Sequence, residues 1–398
     1  MVPERIMLVA GETSGDILAA ELVQTLRVEL ARAEADWSDN RQPLHTSLDP
    51  VFFGAGGPHM RAAGVELAFD MTGHAVTGLS DVFKKLSFFR KRMTELIRLA
   101  EQRQPHAIVC VDFSGFNLRL VCALRRRMRR KQNAFFNWNP KIIQYVSPQV
   151  WASRPGRARR LERDVDLLLS ILPFEKDWYA RHAPRLKVEF VGHPIVDRCA
   201  KSATAKTRPE TEVVLLLPGS RAGEIRRHVP VMAEAAGLIV RKHSSKFRMV
   251  LPDESLAGMA RQVVPGTIDV RVGGLAEALN AATMAIASTG TVTLECACFG
   301  VPTVALYKTS WSTYQIGKRL IRVEYLAMPN LLAKEPVFPE FIQNDATPSN
   351  IAAAAIELLE RPERRKVIKQ KLAGVISQLG PPGAAQRAAR AITRELLG

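Results

Sequence analysis

Short apolar runs alternate with amphipathic segments of helical length along the first half of the chain. The runs and segments are, in order, Ile6–Ala10, Ile17–Leu30, Val51–Gly54, Lys91–Gln102, Ala107–Asp112, Leu118–Lys131 and Ile142–Val146. Apolar runs that alternate with helical segments are typical of a parallel sheet whose strands are joined by helices. The pattern therefore predicts a doubly wound α/β domain.

A second series of the same kind follows a polar stretch, Cys199–Glu212, which we interpret as a linker between domains. Its predicted strands are Val213–Leu217, Arg248–Leu251, Val270–Val272, Ala285–Ser288 and Thr303–Tyr307. The predicted fold class is α/β, with two Rossmann-like, doubly wound domains that face a cleft and with C-terminal helices. The predicted domains are residues 1–200, residues 211–370 and a C-terminal helical segment, residues 371–398.

Two further segments shape this prediction. From Ser349 to Leu397 the pattern predicts two helices, separated by the breaker Leu379–Gly383, because proline and glycine end a helix. We expect the final helix to pack back on the first domain or on a partner. Residues Arg32–Pro50 are polar and aperiodic, and they predict a surface insertion between the first helix and the second strand.

Composition supports two domains and suggests anionic partners. The 398 residues exceed what one core organises, which is roughly 250–300 residues. The chain has 56 Lys and Arg against 39 Asp and Glu, for a net charge of +17, and such an excess favours nucleic acid, anionic lipid headgroups or phosphorylated substrates.

The cysteines and the hydropathy of the chain indicate which classes of protein are not expected. The five cysteines form no C-x-x-C pair, so a zinc site or a disulfide framework is not expected, and a reducing cytoplasm fits. No apolar run is long enough for a signal peptide or a membrane span, so any membrane contact is expected to be peripheral.

The loop after the first apolar run, Ala10–Asp16, is the first candidate site. Its two glycines allow a tight turn, and its hydroxyl and carboxyl groups can cap the next helix or contact a substrate. Glu12 and Asp16 argue against a pyrophosphate at this loop, because such a site relies on unopposed backbone amides. These residues alone do not decide between a substrate loop and an ordinary strand–helix turn.

Asp112 is the candidate catalytic base. It ends an apolar run, at the carboxyl edge where open α/β sheets place their ligands. A carboxylate at this edge can act as a general base that takes a proton from an attacking hydroxyl group. The alternative from the bare sequence is an aspartate that caps a strand–helix turn.

The second domain offers two candidate phosphate-binding loops. In the first, Gly219 and Ser220 expose backbone amides, and Arg221 supplies a guanidinium fork that can bind a phosphate group. The second loop is rich in hydroxyls, enters a helix and contains Ser288, Thr289, Gly290 and Thr291. No D-x-D signature accompanies them, so we predict no obligatory metal.

Two basic segments are candidate surfaces for anionic partners. Between Arg119 and Arg163 there are thirteen Lys or Arg residues and one acid, Glu162. The segment Asp81–Arg92 interleaves five cations with the apolar residues Val82, Phe83, Leu86, Phe88 and Phe89, a combination that interfacial segments need. The alternatives are a solvated helix face, a core-packing helix or a nucleic-acid surface, although no nucleic-acid-binding signature is present.

Ten short motifs, in order along the chain, resemble the lipid-A-disaccharide synthase family. They are AGETSGD at Ala10–Asp16, GAGGPHM at Gly54–Met60, VTGLSDV at Val76–Val82, VDFSGFN at Val111–Asn117, YVSPQVWA at Tyr145–Ala152, LPFEKDWY at Leu172–Tyr179, FVGHP at Phe190–Pro194, LLPGSR at Leu216–Arg221, STGTVTLE at Ser288–Glu295 and MPNLLA at Met328–Ala333.

This resemblance implies a GT-B glycosyltransferase that takes 2,3-diacylglucosamine from UDP. The implied acceptor is the 6-hydroxyl of 2,3-diacylglucosamine 1-phosphate (lipid X), and the products are a tetraacyl disaccharide 1-phosphate and UDP. The UDP-sugar is then a substrate, with no cofactor and no nucleic acid. The implied location is the cytoplasmic face of the inner membrane, with the apolar residues of Asp81–Arg92 at the lipid surface, and a homodimer stays open.

The resemblance also implies residue roles. Asp112 takes the catalytic position, whereas Gly115 stands where some members of the family have a second acid. Glu295 is implied to bind the ribose hydroxyls and Asn330 to bind the donor. The implied acceptor-side residues are Gly11, Glu12, Ser14, Asp16 and Asn117.

Alternative functions stay open at this stage. His193, in the turn before Pro194, is more typical of a packed hinge residue than of a base. The alternative enzymes are a peptidoglycan glycosyltransferase or a UDP-sugar epimerase. The alternative from another class is a non-catalytic basic protein that binds membranes or nucleic acid.

Overall fold

The chain folds into two compact units in the computed structural model, which describes residues 5–38, 50–72, 80–133, 136–202, 212–321 and 323–397. The first unit comprises Met1–Pro194 together with Pro381–Gly398, and the second comprises Ile195–Gly380. The chain thus leaves the first unit, builds the second and returns.

The first unit contains, within the described residues, one parallel sheet of seven strands in the order β3-β2-β1-β4-β5-β6-β7. The strands are β1 (Arg5–Ala10), β2 (Val51–Gly56), β3 (Glu66–Asp70), β4 (Ala107–Val111), β5 (Lys141–Tyr145), β6 (Leu167–Ser170) and β7 (Lys187–Phe190). The helices are α1 (Thr13–Ser38), α2 (Pro58–Ala62), α3 (Ser80–Arg103), α4 (Ser114–Lys131), α5 (Val150–Ser153), α6 (Ala158–Asp164) and α7 (Glu175–His182), with a 3-10 turn at Pro155–Arg157 before α6.

The second unit contains a parallel sheet in which six strands are described, in the order β10-β9-β8-β11-β12-β13. They are β8 (Val213–Leu217), β9 (Lys246–Leu251), β10 (Ile268–Val272), β11 (Met284–Ser288), β12 (Thr303–Tyr307) and β13 (Glu340–Ile342). The helices are α8 (Pro194–Ser202), α9 (Ala222–Val240), α10 (Glu254–Arg261), α11 (Leu275–Ala281), α12 (Thr291–Cys298), α13 (Trp311–Leu320), α14 (Met328–Ala333), α15 (Pro348–Glu360) and α16 (Pro362–Gln378).

Central strands of both sheets are covered on both faces, which explains their unbroken apolar sequences. Every residue of β4 and of β8 is buried. Helices pack on the two sides of the first sheet, so its strands contribute alternate residues to two separate cores. Parallel strands buried in this way lose the alternation of polar and apolar residues.

The last helix, α17 (Ala384–Leu397), packs on the first unit although it follows the second in sequence. Its apolar face joins the core formed by α1 and the sheet. Along its rim, Glu395 forms ion pairs with Lys141 and Lys187, each at 2.7 Å. Arg390 pairs with Glu29 of α1 at 3.0 Å.

The structure departs from the predicted segments in four places. The second unit starts at Ile195, earlier than the predicted linker, because the helix α8 already belongs mostly to it. Helix α1 extends through Ser38, so the predicted insertion begins as helix, and its residues 39–49 lie outside the described ranges. The C-terminal segment forms three helices, because Pro362 disfavours helical geometry at Arg361 and separates α15 from α16. Strands β3, β6, β7 and β13 were not predicted, because they are short.

Candidate active site

The second unit has a cavity of about 530 Å³ at the carboxyl ends of β8 and β11. Its lining brings together residues from two loops that lie about seventy positions apart in sequence. Every predicted donor-site residue except Asn330 lines it: Gly219, Ser220, Arg221, Ser288, Thr289, Gly290, Thr291 and Glu295. The carboxyl edge of an open α/β sheet is where such folds bind ligands.

The loop after β8 is shaped by Glu224, which the sequence analysis did not single out. The Glu224 carboxylate accepts a hydrogen bond from the backbone N–H of Ser220 at 3.0 Å. Gly219 has φ +120°, and a Cβ added there would lie 2.3 Å from Oε2 of Glu224, so only glycine fits. Arg221 immediately precedes α9, and its side chain is 72% exposed at the cavity. The available signal was a glutamate three residues after Arg221, the residue that precedes the helix.

His228 provides a second support for the same loop. Its Nδ1 lies 2.7 Å from the carbonyl oxygen of Pro218, and the backbone N–H of Lys308 donates to its Nε2 at 3.0 Å. Nε2 also lies 3.2 Å from the carbonyl oxygen of Lys308, and the N–H that Lys308 donates favours a neutral ring with its proton on Nδ1. Burial lowers the pKa of His228 and favours the same form. The imidazole therefore connects the loop after β8 to the end of β12. No local sequence pattern predicts this contact.

The loop after β11 contributes Gly290 to the cavity lining, and this glycine has φ +138°. The hydroxyl of Thr293 donates to the carbonyl of Gly290 at 2.6 Å and fixes the first turn of α12. Thr291 begins that helix and lines the cavity. The unsatisfied amides of a helix N-terminus attract anions such as phosphate groups.

Glu295 lies on α12 and contributes a carboxylate to the cavity. Burial raises its pKa, and the neighbouring Arg198 opposes that shift. A half-buried carboxylate of this kind can accept hydrogen bonds from ligand hydroxyls.

Asn330 lies apart from the cavity lining. It is fully buried, donates to the carbonyl of Phe338 at 2.9 Å and accepts from the N–H of Phe338 at 2.7 Å. Its second amide hydrogen reaches Glu340 at 3.2 Å. These bonds connect α14 to the start of β13, which gives Asn330 a structural task; its role at the donor stays a prediction.

In the first unit, Asp112 directly follows β4 and is half-buried. Both Asp112 and Phe113 have left-handed backbone conformations, with φ +49° and +44°. Burial raises the pKa of Asp112, and the charge of Glu12 adds to the shift. A raised pKa means that the carboxylate has a higher affinity for a proton, and this property suits a general base.

The start of α1 lies beside Asp112, but its residues differ in what they can offer a ligand. Glu12 and Ser14 are exposed, whereas Gly11 is buried beneath the ring of Phe113. A Cβ at Gly11 would fall 2.1 Å from that ring, so glycine is required there by packing. Glu12 and Ser14 are therefore the two predicted acceptor residues on this loop that solvent or a substrate can reach.

Asp16 has a structural role in place of the predicted contact with the acceptor. It is fully buried, and its carboxylate accepts backbone N–H groups from Gly57 at 2.7 Å, His59 at 2.9 Å and Met60 at 3.1 Å. These donors form the start of α2, where a negative charge is favourable. The carboxylate thus fastens the second glycine turn to α1.

Asn117 also points inward. It is fully buried, and its amide donates to the carbonyl oxygen of Asp112 at 2.9 Å. The structure therefore places Asn117 behind Asp112, as support for its backbone, and not as the expected polar contact with the acceptor.

The predicted membrane segment is only partly described. Phe89 is half-buried and packs toward the interior, with its ring 5.8 Å from the rings of both Phe113 and Phe116. Phe88 is half-buried beside Arg92, whose guanidinium lies 5.0 Å from its ring. The side chains of Val82, Phe83 and Leu86 lie outside the described residues.

The basic stretch on α4 is partly neutralised by acids that are distant in sequence. Arg125 pairs with Asp166, and Arg127 and Lys131 pair with Glu101 at 2.6 and 2.9 Å. Arg157 lies in a group of arginines that repel one another. Burial lowers the pKa of Arg157, and the charges of Arg154, Arg160 and Arg119 lower it further.

The described residues contain neither a cluster of metal ligands nor a membrane-spanning helix. Within them, no group of His, Cys, Asp and Glu side chains has the arrangement of a metal site. All five cysteines are free thiols. No helix in the described ranges is long and apolar enough to cross a membrane.

Comparison with known proteins identifies the family. The family described as LpxB, lipid-A-disaccharide synthetase, matches residues 6–393. The chain is 36% identical to the lipid-A-disaccharide synthase of Geobacter metallireducens, across 99% of this chain and 98% of the relative. It is 35% identical to that of Syntrophus aciditrophicus, across 96% of each. The chain belongs to this family. Membership confirms the resemblance and the glycosyltransferase class predicted from the motifs.

Solved structures confirm the GT-B fold class. The calicheamicin glycosyltransferase CalG4 aligns with a TM-score of 0.56 at 14% identity, over 100% of this chain and 99% of that protein. MurG of Acinetobacter baumannii aligns with a TM-score of 0.51 at 14% identity, over 98% and 100%. The UDP-GlcNAc 2-epimerase of Neisseria meningitidis, bound to UDP-GlcNAc, gives 0.60 at 11% identity, over 99% of each. At these identities the likeness concerns the fold alone.

Proposed function

We propose that this chain transfers 2,3-diacylglucosamine from UDP-2,3-diacylglucosamine to the 6-hydroxyl of 2,3-diacylglucosamine 1-phosphate, with inversion at the anomeric carbon. The observation that carries this proposal is the family match over residues 6–393. The products are a tetraacyl disaccharide 1-phosphate and UDP, so the reaction belongs to lipid A biosynthesis. The lipid-A-disaccharide synthases share 35–36% of their residues with this chain, whereas the epimerase shares 11% and resembles it in fold alone, so the synthase reaction is the better supported.

In this proposal the second unit binds the UDP part of the donor. Arg221 and the N-terminal amides of α12 neutralise the charge that grows on the diphosphate as it leaves. Glu295 accepts hydrogen bonds from the ribose hydroxyls. These three assignments are supported by the structure, because Arg221, the start of α12 and Glu295 all line the cavity. The reaction so described uses no cofactor and no metal ion.

Asp112 is the proposed base. As the acceptor oxygen attacks the anomeric carbon, its proton passes to the Asp112 carboxylate, a new C–O bond forms, and the bond to the diphosphate breaks with its electron pair. The raised pKa of Asp112 supports this role, because proton transfer is most efficient when the pKa of the base lies nearer the working pH.

We also propose that the chain works on the cytoplasmic face of the inner membrane, bound peripherally through α3. Its N-terminal half combines cations with apolar residues, and both substrates carry acyl chains. Phe83→Ser with Leu86→Ser should reduce sedimentation with anionic vesicles, and Val240→Ser, at an exposed apolar position of the second unit, is the control. Equal sedimentation of both variants would refute this surface. Ultracentrifugation of the same protein decides between monomer and homodimer.

The decisive experiment measures UDP release and lipid product with each substrate alone and with both together. A disaccharide 1-phosphate that appears only with both substrates supports the proposed reaction. Asp112→Asn should abolish turnover while UDP binding is retained, since the cavity lies in the other unit. Turnover that survives in Asp112→Asn would remove Asp112 as the base, and UDP release without an acceptor would favour another UDP-sugar enzyme.

A further inference from the structure

The backbone around Asp112 adopts conformations that its residues disfavour. Asp112 and Phe113, after β4, have φ +49° and +44°, and Val146, after the neighbouring β5, has φ +68°. Left-handed geometry is least favourable for a β-branched residue such as valine. Such residues cluster at functional sites and persist only where the surrounding structure holds them.

Two buried side-chain amides hold these strand ends. The Gln144 amide donates to the carbonyl oxygens of Val146 at 3.1 Å and Asp112 at 3.3 Å. From the other side, the Asn117 amide donates to the same carbonyl of Asp112 at 2.9 Å. Gln144 is 1% exposed and Asn117 is fully buried.

The arrangement costs both amides half of their hydrogen-bonding capacity. Neither Asn117 Oδ1 nor Gln144 Oε1, both buried, has a hydrogen-bond partner among the described residues. Buried polar atoms are seldom left unpaired, and each exception calls for a reason. Here the reason is that both NH₂ groups face backbone carbonyl oxygens at the strand ends, among them those of Asp112 and Val146, to which no backbone N–H of the described residues donates.

We infer that Gln144, together with Asn117, is a positioning residue that holds the main chain of Asp112 so that its carboxylate keeps one direction. The inference rests on the proposed function of Asp112 as the base. If Asp112 relaxed to a negative φ, its Cβ would swing to a new direction. A shift of about 1 Å at a reacting group can cost about 100-fold in rate.

Gln144→Met tests this inference, because it keeps the length of the side chain and removes the donor. We expect kcat to fall about 10- to 100-fold, with the Kd for UDP unchanged. The acid limb of the pH profile should also move to lower pH. Burial and Glu12, the charged group beside Asp112, hold its pKa up, and a relaxed turn exposes the carboxyl group and lowers that pKa.

Two further variants separate positioning from general stability. Thr303→Val removes a buried hydrogen bond in the second unit, from Thr303 Oγ1 to the carbonyl of Val301 at 2.9 Å, and should leave the acid limb in place. Gln144→Asn keeps an amide that is too short to reach, and should behave like Gln144→Met. Should Gln144→Met fold poorly, Gln144→Asn takes its place in every measurement.

The outcomes are distinct. An unchanged kcat in folded Gln144→Met, or a loss matched by Thr303→Val with no movement of the acid limb, overturns the positioning role. Wild-type protein without acceptor-dependent UDP release overturns the proposed function instead. In that case a crystal structure of Gln144→Met still decides the conformational claim: a negative φ at Asp112 supports it, and a retained positive φ overturns it.

Discussion

Replacing Asp16 should destabilise the first unit, although the residue belongs to a segment whose sequence suggests substrate binding, Ala10–Asp16. Its carboxylate accepts three backbone N–H groups at the start of α2, across 41 to 44 positions of sequence. Asp16→Ala removes all three acceptors together and leaves the turn at Gly57 without its connection to α1. The substitution thus tests whether the residue serves structure or substrate.

The size of the loss follows from the burial of these donors. Hydrogen bonds to a charged group contribute about 1.5–3 kcal/mol each, and a buried donor left unpaired costs about 1–3 kcal/mol. The bonds from Gly57 and Met60 are buried, whereas that from His59 is partly open to water. Two buried donors and one that water can satisfy give an expected loss of about 3–5 kcal/mol.

Urea denaturation measures this loss, together with hydrogen exchange of the amides at Gly57, His59 and Met60. The exchange of these amides should accelerate first, because their acceptor is removed. Ser14→Ala, at an exposed position two residues before Asp16, is the matched control and should change stability by less than about 0.5 kcal/mol. Normal stability and exchange in Asp16→Ala, combined with a raised KM for the acceptor, would refute the structural reasoning.

Two further predictions concern the cavity and a buried acid. Arg221→Ala should weaken UDP binding about 10- to 100-fold, because the substitution removes a charged hydrogen-bond donor. Isothermal titration calorimetry measures the Kd, with Arg226→Ala as the control, and an unchanged Kd in Arg221→Ala contradicts the prediction. Burial raises the pKa of Glu175 to about 7 from 4.5, so its contribution to stability is full below the lower value and lost as pH rises through the higher. The melting temperature of the first unit should therefore fall as the pH rises from about 4.5 to about 7. Glu175→Gln should remove that slope, and a parallel slope in the variant contradicts the prediction.

The sequence determined the parts of this protein that depend on local pattern and chain order. Both sheets bury their central strands on two faces, so the apolar runs at β4 and β8 mark those strands directly. Parallel strands align their carboxyl ends, and this rule brings the loops at Gly219 and Gly290 to one cavity. Short edge strands such as β13 carry too few residues for the same signal.

Tertiary structure decided which way each polar or aromatic side chain points and what it meets. Asp16 meets α2, Asn117 turns behind Asp112, and Phe89 packs inward on Phe113, although their residue types suited a substrate or a membrane equally well. The supports provided by Gln144 and His228 join strand ends that are far apart in sequence. Hydrogen bonds of that kind depend on distances that only the packed sheets create, so no local pattern of residues encodes them.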